Sequence, residues 1–241
     1  SLTSLPVVSK TTGKEVRERI IKKYKVVPKA HIKLLAGQTK RSDAEADITD
    51  EYYIFEAISS NGEKETIQCG MGAARHFLEL LNHDGLPIFN PLHIDRNIGG
   101  HGGGNQGLSG NANQGQNWNQ TARQLYNAIM WLIIAWGASP NTPLFEFRDD
   151  VIQYHNCEPF DWKIKRVNTV IKNGGRGKTL SEIINGFRKE NNIRDDMCQF
   201  DLLNNVINNM TDQDGNPLNV QSFFGYCFDL KVKYYGEEIW E

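Results

Sequence analysis

The chain has 241 residues, of which 39% are hydrophobic and 23% charged, a composition typical of a globular protein with one large or two small domains. No stretch reaches the roughly 18 apolar residues that a membrane-spanning helix requires, and the first residues lack the apolar core of a signal peptide. We therefore expect no membrane segment. The four cysteines form no CxxC pair, which favours free thiols in a cytoplasmic protein.

Charge is unevenly distributed along the chain, although the formal net charge is only −2. Residues 1–41 carry a net charge of +9, whereas the remaining residues carry −11. A basic segment on an acidic body indicates either an anionic partner or ion pairs that form within the fold. The sequence leaves both interpretations open.

The first predicted element is a helix over about 13–25. A capping-box pattern places Thr12 as the N-cap residue and Glu15 as its reciprocal partner, and apolar residues follow at helical spacing. Pro28 is expected to end this helix, because proline cannot continue a helical hydrogen-bond ladder. A short apolar segment over 31–36 follows it.

A β-hairpin and a second helix come next. Two runs rich in strand-forming residues, 52–59 and 63–69, flank Asn61-Gly62, the typical pair of a two-residue type I′ turn. Glycines then end the second run, and a helix is expected from there to about Asn82. This unit is the best-specified supersecondary structure in the sequence.

The middle of the chain combines a glycine-rich tract with the most apolar helix. Residues 97–117 are almost entirely Gly, Asn and Gln, and such a segment is typical of a flexible loop, either a lid over a ligand or a tolerated insertion. Residues 119–136 predict a helix, with Asn119 or Thr121 as cap and Gly137 as terminator. Because residues 128–136 are all apolar, we expect a central helix that is buried on every side.

The second half of the chain predicts mainly helices. Apolar residues repeat at helical spacing in three stretches after Pro159, and Thr179 to Glu182 forms a second capping box. Strict alternation over 226–235 predicts a C-terminal strand that pairs with the hairpin. We therefore expect an α+β fold, organised as residues 1–96, a loop over 97–117 and residues 118–241, with one compact domain as the alternative.

The basic segment leads to the first functional hypothesis, a nucleic-acid (polyanion) binding protein, with DNA binding and nuclease activity as options. Lysine and arginine side chains neutralise phosphates without reading sequence. Arg75 joins them because it lies in the first turn of the second helix, where backbone N–H groups attract phosphate. The candidate phosphate-binding residues are Lys22, Lys23, Lys25, Lys29, Lys33, Lys40, Arg41 and Arg75.

Glu56 is the candidate catalytic residue of the nuclease version. It lies on a predicted strand after an acidic stretch that holds Asp43, Glu45, Asp47, Asp50 and Glu51. Carboxylates could hold the Mg²⁺ that such nucleases use, although a solvated loop is the simpler interpretation of this stretch. No histidine or cysteine spacing matches a known zinc motif, so we assign no metal ligand.

Cys69 supports a second hypothesis, a cysteine-dependent hydrolase or transferase. The residue is expected between a strand and the first turn of a helix, and a helix N-terminus lowers the pKa of a thiol. The arrangement loosely resembles that of papain-like peptidases over about ten residues, which implies a nucleophilic thiol. No base is identified, and His31, His93, His101 and His155 remain candidates by elimination.

A third hypothesis is a non-catalytic scaffold that binds a protein partner through its acidic body. The three hypotheses differ in what they require of the fold. The first needs basic side chains that face solvent together, the second needs an accessible thiol beside a base, and the third needs only a free surface.

Overall fold

The computed structural model describes residues 13–93, 117–140 and 142–226. These residues form seven α-helices, a four-stranded sheet and a two-stranded sheet. The α+β prediction is confirmed. The helices are α1 (Lys14–Lys23), α2 (Met71–Leu80), α3 (Gln120–Trp136), α4 (Pro143–Gln153), α5 (Asp161–Gly174), α6 (Leu180–Arg188) and α7 (Asp201–Asn208). The strands are β1 (Lys25–Lys33), β2 (Lys40–Arg41), β3 (Asp47–Ile48), β4 (Glu51–Ile58), β5 (Lys64–Gly70) and β6 (Ile88–Phe89).

The main sheet has the order β5-β4-β1-β6, and β2 and β3 form the two-stranded sheet. β4 pairs antiparallel with β5 on one side and with β1 on the other. β6 is short and runs parallel to β1, with His31 opposite Ile88 and Ile32 opposite Phe89. The first part of β1 therefore has a strand neighbour on only one side among the described residues, and a bulge interrupts its register between Pro28 and Ala30.

Two hydrophobic cores lie on opposite faces of this sheet. The smaller core contains Ile20 of α1 and Phe77 of α2, packed on strand residues such as Phe55. The larger core joins the other face, including Ile32 and Ile54, to α3 and the helices that follow it. Residues from before and after the glycine-rich tract thus share one core.

The central helix α3 is buried from Ala128 to Ile134, as the sequence predicts, whereas Trp136 at its end is exposed. The side chain of Asn119 caps it by accepting a hydrogen bond from the backbone N–H of Ala122 at 3.1 Å. Gly137 ends it with a φ of 62°, a left-handed conformation that glycine adopts without strain. The fully buried indole of Trp131 donates to the backbone oxygen of Met197 at 2.8 Å. The helix is therefore anchored at both termini and in the middle.

Two local predictions are wrong. The first helix ends at Lys23, and Pro28 lies inside β1. A proline is tolerated there because β1 is an edge strand at that point, where a missing backbone N–H is acceptable. The hairpin loop is longer than a two-residue type I′ turn. The backbone N–H of Gly62 donates to Ser59, and only Gly62 of the Asn-Gly pair has a positive φ, 86°.

Three other predictions concern residues outside the described part of the chain. They are the Thr12 cap, the glycine-rich loop up to residue 116, and the C-terminal strand from residue 227 onward. The capping box of the C-terminal half is confirmed, since Thr179 and Glu182 exchange side-chain to backbone hydrogen bonds at the start of α6. The division into residue ranges stays a prediction.

Candidate functional site

A cavity of about 400 Å³ lies where the free edge of β1 faces the helices α3 and α4. Its position follows from the sheet topology, because β6 pairs with β1 only at two residues and leaves the preceding residues of the edge uncovered. Backbone and side chains from β1, the 86–87 loop, α3 and α4 form its walls. They are residues 27–31, Leu86, Pro87, Trp118, Tyr126, Met130, Arg148, Asp149, Ile152 and Gln153.

The walls of the cavity are mainly apolar and contain flat rings. The rings of Trp118 and Tyr126 lie 5.3 Å apart at an angle of 54°. Burial raises the pKa of Tyr126, so the phenol stays neutral at physiological pH. Pro28 and Pro87 add rigid apolar surface to the lining. Such a lining suits a ligand with a flat apolar body.

Arg148 brings a buried positive charge to this apolar site. Only 4% of the residue is exposed, and its guanidinium lies 4.7 Å from the centre of the Phe145 ring. Its Nε donates to Oδ1 of Asp149 at 3.0 Å, and its Nη2 donates to the same oxygen. Asp149 thus accepts from two of the five N–H groups of this guanidinium.

A chain of ion pairs extends from Arg148 to the sheet. Nζ of Lys29 lies 2.8 Å from Oδ2 of Asp149 and 3.8 Å from Oε2 of Glu56. Nζ of Lys64 lies 3.5 Å from the other oxygen of Glu56. We refer to Lys29, Glu56, Lys64, Arg148 and Asp149 as the cavity network.

The 86–87 loop, which forms one wall of the cavity, is held by a tyrosine and a histidine. The hydroxyl of Tyr53 accepts from the backbone N–H of Leu86 at 2.9 Å and donates to its oxygen at 3.1 Å. His31 stacks on Tyr53, and its Nδ1 lies 3.2 Å from the same oxygen. Its Nε2 is 3.4 Å from Glu51, but the two groups are not aligned for a hydrogen bond.

The structure divides the predicted phosphate-binding residues into two groups. Lys29, Lys33 and Arg41 are paired with acidic residues of the fold, namely Asp149 and Glu56, Asp50, and Asp47. Lys40 is half-buried over the ring of Tyr52, and burial lowers the pKa of its amine. Internal ion pairing therefore explains part of the basic segment.

The remaining lysines form an exposed group at the end of α1. Lys22, Lys23 and Lys25, called here the exposed lysines, form no ion pair with any residue in the described part of the chain. Arg75 is also exposed, but it lies on α2 beside a groove whose other wall holds Asp47, Asp50 and Glu51. These carboxylates oppose the approach of a phosphate to Arg75.

Cys69 does not have the low pKa that its predicted position suggests. The side chain is completely buried at the end of β5, and burial, with a smaller contribution from Asp43, raises the pKa of its thiol to about 12. His31 lies on the same face, two strands away, and the ring of Tyr53 stands between them. Two strand spacings amount to roughly 10 Å, too far for proton transfer. The expectation of an activated thiol is wrong.

Glu56 and the acidic stretch do not converge on a metal site. Glu56 is buried between two lysines, as described above. Asp43 accepts a hydrogen bond from the backbone N–H of Gln68, whereas Asp47 and Asp50 each pair with a basic side chain. No group of three or more potential metal ligands occurs within residues 13–93, 117–140 and 142–226.

The residues that the sequence does not reveal are those of α4 and the aromatic walls. The stretch 143–156 is ambiguous in the sequence and suggests a short helix around 145–154, which α4 confirms, but it does not mark Arg148 and Asp149 as site residues. One signal was present in the sequence. Arg148 lies four residues after Leu144 and three before Val151, which places a charge on the apolar face of a helix. A charge in that position needs a partner.

Comparison with known proteins identifies a family but no relative with an assigned activity. The chain matches the family described as "Uncharacterised conserved protein UCP028583" over residues 9–215. Neither the search of curated proteins nor the search of solved structures found a match. No helix among the described residues is long and apolar enough to span a membrane.

Proposed function

The chain belongs to the family described as "Uncharacterised conserved protein UCP028583", and on the geometry of its cavity we propose that it binds a small organic anion. The ligand lies against the free edge of β1, between the aromatic walls and Arg148. At about 400 Å³ the cavity is near the lower end of the range of small-molecule sites, roughly 300–1,000 Å³. The proposed function is therefore the binding of a small ligand in this cavity.

Arg148 is the observation that carries this proposal. Arg148 is 96% enclosed beside the cavity, and its guanidinium has five N–H groups that can donate to an anion. Asp149 accepts from one N–H of Nε and one of Nη2, so the guanidinium keeps donors that a group in the cavity could use. A ligand oxygen in the cavity would accept from these donors in a charge-assisted hydrogen bond.

Addition of a peptide strand is the other common use of a sheet edge, and the edge of β1 is poorly suited to it. Pro28 has no N–H to donate to an added strand, and the bulge after it breaks the regular spacing of the ladder. Lys29 places a charged side chain at the same point. These features favour a small ligand over an extended peptide.

Calorimetric titration with benzoate and with phenyl phosphate tests the proposal directly. We expect saturable binding of at least one of these anions to the wild-type protein. Arg148→Met should weaken that binding about tenfold or more, because a charge-assisted hydrogen bond is lost. Arg166→Met, the same change at an exposed arginine of α5, should leave the affinity unchanged.

A second variant provides a test that stays valid if Arg148→Met fails to fold. Ile152 lines the rim of the cavity and is 42% exposed, so Ile152→Trp narrows the entrance without removing a charge. This variant should keep the wild-type melting temperature and lose affinity for the anion. Absence of binding by both probes in the wild-type protein would refute the proposed function.

Polyanion binding is a second candidate, favoured by the exposed lysines alone. Three neutralised phosphates predict a slope of about −2.7 for the logarithm of affinity against that of salt concentration. Affinity for an oligonucleotide should thus fall roughly 40-fold between about 50 and 200 mM salt. We propose binding rather than cleavage, because Glu56 is enclosed by two lysines.

Charge reversal separates the two candidates. Replacing Lys22, Lys23 and Lys25 by Glu should abolish oligonucleotide binding and leave benzoate binding intact, since none of the three lines the cavity. The matched control replaces Lys165, Arg166 and Lys172, which are exposed on α5, by Glu. Equal loss of oligonucleotide binding in both triple variants would show that net charge, and not the exposed lysines, determines the affinity.

A further inference from the structure

A second cavity, of about 460 Å³, lies where the end of α4 meets the start of α5. It shares no lining residue with the cavity at the edge of β1, and we call it the α4–α5 cavity. Its lining includes Val151, Pro159 and the rings of Tyr154 and Phe160. We infer that the α4–α5 cavity binds a small alkylated ammonium compound, a ligand of opposite charge to the anion proposed for the first cavity.

Lys163 shows the chemistry of this site with a side chain of the protein itself. Its Nζ lies 5.8 Å from the centre of the Tyr154 ring, 5.5 Å from that of Phe160 and 5.5 Å from that of Trp162. The same ammonium donates to a carboxylate oxygen of Asp150. Proteins recognise organic cations with such sets of aromatic rings, because the ring faces carry partial negative charge. The rings around this cavity are therefore arranged to hold a positive charge.

Lys163 leaves much of this aromatic surface uncovered. Tyr154 is 51% exposed and Phe160 is 67% exposed, and neither belongs to the hydrophobic cores on the two faces of the sheet. Phe160 also occupies the N-cap position of α5, where Ser, Thr, Asp or Asn would stabilise the helix and Phe makes no cap hydrogen bond. Neither core packing nor capping accounts for the rings, and their exposed surface is available to a ligand.

Charge in the α4–α5 cavity favours a cation. The charged residues of its lining are Asp150, Glu158 and Lys163. Asp150 and Lys163 pair with each other, whereas Glu158 forms no ion pair with any residue in the described part of the chain. Its Oε2 accepts a hydrogen bond from the side chain of Asn119 at 2.7 Å, which holds the carboxylate without neutralising it. One negative charge therefore remains for a ligand, and it attracts an ammonium group and repels an anion.

The largely apolar lining favours alkyl groups on the nitrogen of the ligand. A primary ammonium has three N–H donors that need acceptors in an enclosed site, whereas a quaternary nitrogen has none. The methyl groups of a quaternary nitrogen also contact rings and aliphatic side chains directly. The volume of about 460 Å³ lies within the range of small-molecule sites, roughly 300–1,000 Å³, so the cavity can enclose the whole compound.

Calorimetric titration with three probes tests the inference. They are choline, its neutral isostere in which a tert-butyl group replaces the trimethylammonium group, and ethanolamine, which keeps the charge and lacks the methyl groups. We expect choline to bind about tenfold or more tightly than either, because only choline combines the charge with alkyl groups. Equal affinity for choline and one of the other probes would overturn the inference, as would absence of choline binding.

Glu158→Gln removes the remaining charge of the lining and preserves the local structure. An amide oxygen also accepts from Asn119, so the melting temperature should stay at the wild-type value. Affinity for choline should fall about fivefold. Glu146→Gln is the matched control, because Glu146 is exposed on α4 and does not line the cavity. Equal losses in the two variants would show that net charge, and not Glu158, attracts the probe, and would contradict the inference.

Phe160→Leu separates a cation–π contact from simple apolar contact. Leucine keeps an apolar side chain at this exposed position and removes the ring face. Affinity for choline should fall about two- to fivefold, whereas affinity for the neutral isostere should stay unchanged. Equal losses for both probes, or no loss for choline, would mean that the ring does not recognise the charge and would overturn the inference.

Sedimentation with phosphatidylcholine vesicles identifies the source of the alkylated ammonium group. We expect the protein to stay in solution, because the cavity is large enough to enclose a free compound. Pelleting that is abolished by Glu158→Gln would support the ammonium site and assign it to lipid head groups. Pelleting that persists in Glu158→Gln, together with absence of choline binding, would overturn the inference.

Benzoate binding separates this inference from the proposed function. Benzoate affinity should be the same in Glu158→Gln and in the wild-type protein, since Glu158 does not line the first cavity. If choline binds and the anions do not, the proposed function alone fails. If benzoate binds and choline does not, the inference alone fails.

Discussion

Lys25 and Lys29 lie four residues apart in the same strand, yet they belong to different electrostatic environments. Lys25 is one of the exposed lysines, with no ion pair among the described residues. Lys29 forms ion pairs with Asp149 of α4 and with Glu56 of β4. The difference arises because α4 brings Asp149 to Lys29, whereas no acidic side chain of the described residues forms an ion pair with Lys25. A count of basic residues therefore does not predict how many can bind a partner.

The largest expected effect on stability is the removal of the central carboxylate of the cavity network. Asp149→Ala leaves Arg148 and Lys29 without their shared acceptor. The free energy of unfolding should fall by about 2–3 kcal/mol, less than the roughly 3–5 kcal/mol of a fully buried pair, because 38% of the Asp149 side chain is exposed. Asp50→Ala removes the partner of Lys33, and 71% of the Asp50 side chain is exposed. It should cost less than about 1 kcal/mol. Urea denaturation of both variants measures the two losses in the free energy of unfolding. Equal losses would contradict the expected difference between the two ion pairs.

Substitution of Lys25 or Lys29 in β1 should change the free energy of unfolding by smaller amounts. Lys29→Met leaves the buried carboxylate of Glu56 with Lys64 as its remaining ion-pair partner in the described structure, and should cost about 1–2 kcal/mol. Lys25→Met changes an exposed side chain and should stay within about 0.5 kcal/mol of the wild-type stability. A double-mutant cycle of Lys29→Met with Asp149→Ala would show whether the two groups act as one unit. Additive losses would contradict the ion-pair network.

Cys69 extends the comparison between buried and exposed groups to the pH dependence of stability. Its pKa rises from 9.0 to about 12 on folding, so its contribution to stability is fully present below about pH 9. Above that pH the unfolded chain loses the proton first, and the contribution falls by about 1.4 kcal/mol per pH unit up to the folded pKa. Cys69→Ala should show a shallower decline than the wild-type protein above pH 9. The two slopes should agree between pH 6 and pH 8, and identical slopes at pH 10 would refute the buried thiol.

Features set by neighbouring residues were predictable from the sequence. The apolar run before Gly137, the cap at Asn119 and the Thr179 capping box all depend on contacts within one or two turns of a helix. The hairpin was found for the same reason, although its loop length was not. Pro28 was misinterpreted because the same residue that ends a helix is tolerated on the free edge of a strand.

The candidate site was not predictable in this way, because its parts are brought together only by folding. Pro28, Pro87, Trp118 and Arg148 come from four separate stretches, and their proximity depends on how α4 packs across the edge of β1. The same contacts determine which side chains of the basic segment form ion pairs and which stay exposed. Each residue fixes its own charge and its local preference for helix or strand, whereas burial and pairing of that charge are properties of long-range packing. The sequence thus determined the elements and the uneven charge, and the tertiary structure decided which charges are enclosed and which remain free to bind.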